Sequence, residues 1–166
     1  GSGRGSFKLL PNTALVLEGD LHIGPHSEFI LEENALLQLH GGKICVHPFG
    51  KLTQMPNAKI ETSASSEIEL NSATAQLEMA GDLIVQSSDT LTIASRTAGN
   101  MGSWIWKGNS VYTSIHENGL LLLKSDHGGF AEVQIQDQGG HLITGDGKST
   151  WQNVVFVLGQ DANWVI

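Results

Sequence analysis

An apolar pair with one residue between its members recurs along the first part of the chain, nearly always at a spacing of eight residues. The frame reads Thr13/Leu15, Leu21/Ile23, Phe29/Leu31, Leu37/Leu39, Ile44/Val46, Leu52/Gln54, Ile60/Thr62, Ile68/Leu70, Ala75/Leu77, Leu83/Val85 and Leu91/Ile93. Apolar residues two apart are typical of a strand with one buried face, whereas a helix would space them by three and four. Self-similarity at a fixed period is typical of repeat proteins. The pattern therefore predicts a stack of short strands.

The residues between the pairs are rich in Gly, Pro, Ser, Asn and Asp, as in 24–27 and 56–58, and these residue types form turns. A strand of three or four residues carries only two inward side chains, too few for stability on its own. Successive strands must therefore stack in parallel around one apolar interior. The repeat unit, a strand followed by a corner, predicts a β-helix without helices.

Two kinds of β-helix fit this unit. In a single-chain β-helix, three such sides make one coil of about twenty-four residues. In a triple-stranded β-helix, three chains wind about one axis and each repeat contributes one strand to a three-sided prism. Single-chain coils normally have unequal sides, whereas three identical chains require one repeat length. The nearly constant spacing favours the second form, an all-β, triple-stranded β-helix shaft built as an intertwined homotrimer.

The pattern divides the chain into four parts. Residues 1–11 are a tag remnant and lead-in, because Gly1-Ser2-Gly3 resembles a cloning scar. Residues 12–95 are the β-helical shaft, and residues 96–102, rich in small side chains, form a junction. Residues 103–166 contain short β-rich runs separated by hairpin-type turns such as 117–119. These runs predict a C-terminal antiparallel β-domain.

Composition narrows the classes of partner. The net charge is −8 over 166 residues, which argues against nucleic acid and anionic membranes, since both require clustered Lys and Arg. No segment approaches the roughly twenty apolar residues that span a bilayer. The single cysteine, Cys45, excludes an intrachain disulfide framework and a CxxC metal site. By its phase Cys45 is an ordinary outward strand residue.

Three lysines, Lys43, Lys51 and Lys59, each stand just before an apolar pair. Their common phase predicts a short ladder of solvent-exposed lysines on the shaft wall. The neighbouring carboxylates are expected to neutralise this ladder; they are Glu61, Glu67 and Glu69. Exposed ion pairs contribute about 0–1 kcal/mol, so these lysines are expected to matter little for stability.

The histidines and carboxylates give no catalytic or metal motif. There is no His-x-His pair and no zinc spacing, so we expect neither a metal site nor a cofactor. His40 and His47 follow their apolar pairs in the same phase, which suggests stacking on the outer wall. Most acidic residues of the last third stand beside Gly or Asn in predicted turns, where such side chains cap backbone N–H groups. The chain is therefore not expected to be an enzyme, although a glycoside hydrolase remains open.

Aromatic residues concentrate in the last third of the chain. They can offer flat faces to sugar rings or anchor a partner protein. The candidate ligand-binding residues are Trp104, Trp106, Tyr112 and Trp151. The alternative is that Trp104, Trp106 and the remaining Trp164 pack in the core or between subunits.

A run of β repeats with Gly, Ser and Asn at the corners, followed by a β-rich end, resembles the trimeric β-helical shafts of bacteriophage tail fibres and tail spikes. The membrane-piercing spikes of contractile tails and of type VI secretion systems belong to the same group. The likeness covers residues 12–95 at the level of period and pattern, for example in 66–71 and 81–85. The chain lacks the His-x-His iron motif of piercing tips, and its Trp-rich last third is too long for a bare point.

The resemblance implies a structural virion protein of the phage tail that attaches to the host surface. The partners that it implies are the chain itself as a homotrimer, other tail or baseplate proteins, and a host-surface glycan or protein, but not nucleic acid. Three alternatives remain: a membrane-piercing spike, a capsule or lipopolysaccharide depolymerase, and a single-chain β-helix adhesin.

Overall fold

Three parallel β-sheets form the wall of a β-solenoid. The structure, a computed structural model, describes residues 4–96, 103–106, 111–125, 131–135, 140–158 and 163–165. Within these residues all regular elements are strands, and each strand pairs in parallel with the strand three places further along the chain. The chain therefore coils around one axis, and the prediction of an all-β β-helix is confirmed.

Each sheet takes every third strand. Sheet A contains β1 (Ser6–Leu9), β4 (Glu28–Leu31), β7 (Lys51–Gln54), β10 (Gln76–Met79), β13 (Ser103–Trp106), β16 (Ala131–Ile135) and β19 (Val154–Leu158). Sheet B contains β2 (Ala14–Leu17), β5 (Leu36–His40), β8 (Lys59–Ala64), β11 (Asp82–Val85), β14 (Val111–Ile115), β17 (Gly140–Thr144) and β20 (Asn163–Val165). Sheet C contains β3 (Leu21–Ile23), β6 (Lys43–Val46), β9 (Ser66–Leu70), β12 (Thr90–Ser95), β15 (Leu120–Ser125) and β18 (Lys148–Gln152).

The apolar pairs point into the solenoid and stack coil upon coil. In sheet B, Leu37 pairs in register with Ile60 and Ile60 with Leu83, and all three side chains are fully buried. Alternation places the residues between them on the outer wall. Burying such a side chain stabilises the fold by about 1.5–3 kcal/mol. The inward assignment of the repeat frame is therefore correct across the described coils from β4 to β12.

Two polar members of the frame also lie inside. Gln54 is almost fully buried, and its Nε2 donates to the carbonyl oxygens of Ala58 (2.9 Å) and Asp82 (2.8 Å). The Thr62 hydroxyl accepts a hydrogen bond from the backbone N of Gln86 at 2.9 Å. A buried polar group is costly unless it is hydrogen-bonded, and Gln54 Nε2 and the Thr62 hydroxyl bond to backbone at corners of the coil, whereas the buried Gln54 Oε1 has no such partner. They therefore fasten one coil to the next.

Several corners are four-residue turns in which the N–H of the fourth residue donates to the carbonyl of the first. The N···O distances include 3.2 Å in 10–13, 3.1 Å in 24–27 and 2.8 Å in 47–50. The third residue of these three turns has a positive φ, and at three corners between sheets A and B the positive-φ residue is asparagine: Asn12, Asn34 and Asn57. Asn tolerates the left-handed region better than most side chains, which explains its recurrence at this corner.

The predicted interwinding of three chains is not what the structure shows. Each described strand pairs with strands of the same chain, with a step such as the 23 residues between Gln38 and Glu61. This is the single-chain β-helix that the sequence left open. The physical reason is that three repeats of nearly eight residues close one three-sided coil. A constant repeat therefore suits one chain with three equal sides as well as three chains.

The predicted antiparallel pairing beyond residue 103 is wrong for the described strands. β13 continues sheet A, with Ser103 in register with Gln76, and β15 continues sheet C, with Leu120 in register with Thr90. The turn at 117–119 joins β14 of sheet B to β15 of sheet C. A Glu-Asn-Gly turn serves a solenoid corner as readily as a hairpin, because both need a residue with positive φ. Residues 97–102 of the predicted junction and residues 1–3 lie outside the described part.

Candidate functional site

The outer face of sheet C carries a cluster of four charged side chains on neighbouring coils. This sheet C charge cluster consists of Lys43 on β6, Glu67 and Glu69 on β9, and Arg96 just after β12. Lys43 Nζ lies 2.9 Å from Glu69 Oε2, and Arg96 Nε lies 3.6 Å from the same oxygen. Arg96 Nε also donates to Glu67 Oε1 at 3.1 Å. The cluster ties three successive coils together across their outer wall.

Glu69 is the most enclosed member of the cluster, with 12% of its side chain exposed. Burial acts to raise the pKa of this carboxyl, but the hydrogen bond and charge of Lys43, a hydrogen bond from Asn71 and the charge of Arg96 outweigh it. The pKa of Glu69 is therefore lowered. The hydrogen bond and charge of Glu69 in turn raise the pKa of Lys43.

Replacing Glu69 by Gln is expected to destabilise the protein by about 1–2 kcal/mol at neutral pH, between the values for an exposed ion pair and a charged hydrogen bond. Because the folded-state pKa is lowered, this stabilisation is present above the ordinary value of 4.5 and is lost as the pH falls through the folded-state pKa. Melting curves of wild type and Glu69→Gln between pH 7 and pH 3 should therefore converge in acid. Glu117→Gln, at an exposed turn, is the matched control and should melt at the same temperature as wild type. A difference in melting temperature between wild type and Glu69→Gln that stays constant with pH would contradict the expectation.

Cys45 lies beneath this cluster on the outer side of β6. It is the register partner of both His22 and Glu69, and only 5% of it is exposed. Burial, followed by the charge of Glu69, raises the pKa of its thiol. A thiol with a raised pKa carries little thiolate, the reactive form. Cys45 is thus a packing residue of the strand rather than a nucleophile.

The predicted ladder of Lys43, Lys51 and Lys59 is wrong, because the three residues lie on different sheets. They begin β6, β7 and β8, which belong to sheets C, A and B. Lys59 is exposed as expected, but Lys43 is half-buried against Glu69. Half-buried Lys51 lies 3.0 Å from Glu78 and 4.0 Å from Glu28. One repeat turns one corner, so residues one repeat apart never share a wall.

The same reasoning corrects the expected stacking of His40 on His47. His40 Nδ1 lies 3.0 Å from the hydroxyl of Ser63, on sheet B. His47 meets His22 of the preceding coil instead, with 3.0 Å between His22 Nδ1 and His47 Nε2. The ring centroids are 5.3 Å apart and the rings are inclined by only 24°. In the part of the chain that the structure describes, no three His, Cys, Asp or Glu residues are grouped to hold a metal ion.

A second aromatic contact lies at the corner between sheets C and A. Here Phe49 stacks on His26 of the preceding coil, with centroids 4.8 Å apart and ring planes within 4° of parallel. Both residues are the third member of a turn with Pro at the second position, and both have positive φ. We call this pair the aromatic corner. This pair is not among the residues predicted from the sequence, although the Pro-His and Pro-Phe steps recur one coil apart.

The structure brings none of the candidate tryptophans together into a described site. Trp104 and Trp106 on β13 take the register positions of Leu77 and Met79, which are fully buried. The side chains of these two tryptophans and of Tyr112 on β14 lie outside the described part. Trp151 on β18 is 37% exposed and meets Phe156 edge-on, with 5.1 Å between the centroids. Only Trp151 among the predicted ligand-binding residues is thus seen on the surface.

The described surface has shallow crevices, and in one of them the acidic side chains are already engaged. One crevice of about 390 Å³ is lined by Asp20, Lys43 and Glu67, among others. Asp20 Oδ1 accepts the backbone N–H of Lys43 at 2.8 Å, and Glu67 accepts from Arg96. A pair of carboxyls in a glycoside hydrolase must serve as acid and as base or nucleophile. These two carboxylates are instead held by structural bonds.

Comparison with known proteins assigns the chain to no family. No protein-family model matches the chain, and neither the curated proteins nor the solved structures contain a significant match. Among the described residues, no helix is long and apolar enough to cross a membrane. The chain is therefore described by its architecture, a single-chain parallel β-solenoid with ion pairs along its outer wall.

Proposed function

We propose that this protein is a structural part of a bacteriophage tail fibre or tail spike, located in the virion tail, and that it attaches to the host surface. The observation that carries the proposal is the solenoid itself. Three continuous parallel sheets, stacked coil on coil, form an extended wall of a kind that suits a shaft. Other tail or baseplate proteins and a host-surface glycan or protein are its proposed partners.

The engaged side chains of the outer wall support a structural role over an enzymatic one. The carboxylates of the sheet C charge cluster bond to Lys43 and Arg96, and Lys51 is shared between Glu28 and Glu78. Such pairs hold adjacent coils together. A catalytic pair would instead need carboxyls that remain available to a substrate and water.

Host attachment is tested by binding of the whole fluorescently labelled chain to a panel of bacterial strains, measured by flow cytometry. We expect saturable binding to at least one strain and loss of binding when its surface polysaccharide is stripped. A labelled unrelated protein of similar size and net charge is the control for non-specific adhesion. Binding to no strain would contradict the proposal. Release of sugar from the polysaccharide by the chain would favour a depolymerase instead.

The homotrimer remains a prediction within this proposal, now without the interwinding of chains. One chain has a mass of 17.7 kDa, and its central strands already have partners on both sides within the chain. If three such solenoids associate, light scattering of the purified protein should give about three times the chain mass. A mass equal to one chain would contradict the trimer and leave the single-chain form.

A further inference from the structure

Phe49 occupies a backbone conformation that does not suit it. It is the third residue of the turn 47–50, with φ of +60°. A bulky side chain at positive φ is an outlier because its Cβ crowds the neighbouring carbonyl. A turn with Pro at its second position and positive φ at its third favours Gly or Asn there. The chain itself follows that rule at Asn12 and Asn57, which follow Pro11 and Pro56, so turn formation does not explain Phe49.

The ring of Phe49 is also exposed to solvent, at 57%. Coils lie on both sides of it along the axis, since the turn joins β6 to β7, so this exposure is a property of the wall. The exposed aromatic ring and the unfavourable φ both lower the stability of the folded state at this one residue. Strained residues cluster at functional sites, where the strain is retained for a purpose other than folding.

The ring of Phe49 is stacked on a neighbouring ring. It lies parallel to His26, which has a φ of +57° in the equivalent turn of the preceding coil. The backbone N of Phe49 donates to the Thr74 hydroxyl at 3.0 Å, and that hydroxyl lies 2.8 Å from the hydroxyl of Ser72. The aromatic corner therefore combines one flat apolar face with hydroxyl and imidazole groups beside it.

This combination matches the chemistry of a sugar ring, which has an apolar face of C–H groups and a rim of hydroxyls. A binding site of this kind uses an aromatic surface and a few placed polar groups. A protein partner would instead need about 1,000 Å² of complementary surface, and the nearby wall carries the charged Lys51, Glu28 and Glu78. We propose that the aromatic corner, Phe49 stacked on His26, binds a pyranose ring of a host-surface glycan. The inference rests on the proposed function and names the receptor class.

The substitution Phe49→Asn removes the aromatic ring but keeps a residue that suits the turn. Asn fits the left-handed position, so the variant should melt at the same temperature as wild type or about 2–4 °C higher. Its binding to glycans should fall tenfold or more, as for loss of an aromatic hot spot. The probes are an array of bacterial O-polysaccharides, capsular polysaccharides and peptidoglycan fragments, together with the bacterial panel. Met55→Gln, which removes another exposed apolar side chain at a different corner, is the matched control and should bind normally.

The outcomes separate this inference from the function on which it rests. If wild type binds cells but no glycan, or if Phe49→Asn binds as tightly as wild type, the aromatic corner is not the site while host attachment stands. If wild type binds neither cells nor glycans, both fail together. If Phe49→Asn melts well below wild type, the ring stabilises the corner. The argument that Phe49 is unfavourable for folding, and is therefore retained for binding, would then be overturned. His26→Asn should weaken binding in the same assay, because the ring loses its support.

Discussion

Replacing Ile68 by Asp is expected to destabilise the folded solenoid by about 3–5 kcal/mol, the effect of an uncompensated buried charge. Ile68 is fully buried on β9, in register with Ile44 on one side and Ile93 on the other. Ile68 belongs to the apolar core of the solenoid, so an aspartate there must remain uncharged or the coil must open. Circular dichroism and thermal melting of the purified variant measure the loss, which should be about 6–20 °C or complete unfolding.

The matched control is Ile84→Asp, which introduces the same charge on the outward phase of β11. Ile84 is half-buried and lies between two inward residues, Leu83 and Val85, which are fully buried. The control should fold and melt within about 1 kcal/mol of wild type, as surface substitutions generally do. If both variants lost the same stability, the inward and outward assignment of the strands would be wrong.

Replacing Gly42 by Ala is expected to destabilise the protein more than replacing Gly41 by Ala. The expected difference between the two variants is about 1–3 kcal/mol. Both glycines have φ of +78° at the corner between sheets B and C, so each alanine carries the same conformational cost. A Cβ on Gly41 would meet open space. On Gly42 it would stand 2.5 Å from the carbonyl oxygen of Gly19, which is backbone of the preceding coil and cannot rotate away.

Urea denaturation of the two variants beside wild type measures this difference. Gly41→Ala should cost about 1–2 kcal/mol, the ordinary penalty of a left-handed alanine. Gly42→Ala must in addition push two coils apart at one corner. Equal midpoints for the two variants would show that the coils are not in the close contact described here.

The strands and their buried faces could be predicted from the sequence because alternation is a local property. Leu37 and Leu39, or Ile68 and Leu70, show their common side within three residues. The corner turns could likewise be predicted from Pro-Asn steps such as 11–12 and 56–57. Such signals need no knowledge of which strands become neighbours.

The pairing of strands could not be predicted in the same way, because the period contains no information about which chain supplies the neighbour. A repeat of eight fits one chain that turns three corners or three chains that each supply a side. The misplaced lysines and histidines have the same origin. Lys43 and Lys51 share a phase within the repeat but lie on different sheets, and the partner of His47 is His22, one whole coil earlier.

The aromatic corner was missed for a different reason. A single phenylalanine in a turn stands outside the apolar repeat, so the period of the sequence does not single out Phe49. Its significance depends on a positive φ and an exposed ring, which only the structure shows. The recurrence of a Pro followed by an aromatic side chain at 25–26 and 48–49 was the available clue.

The pairing of each strand with the third strand after it has a consequence for how the chain folds. Every coil closes a loop of similar length, so the entropy lost on adding a coil is nearly the same at each step. The slow event is then the docking of the first two coils, after which further coils add in turn, as in other linear arrays. The folding rate should consequently depend little on the total number of coils, and growth can proceed from any coil outward in both directions.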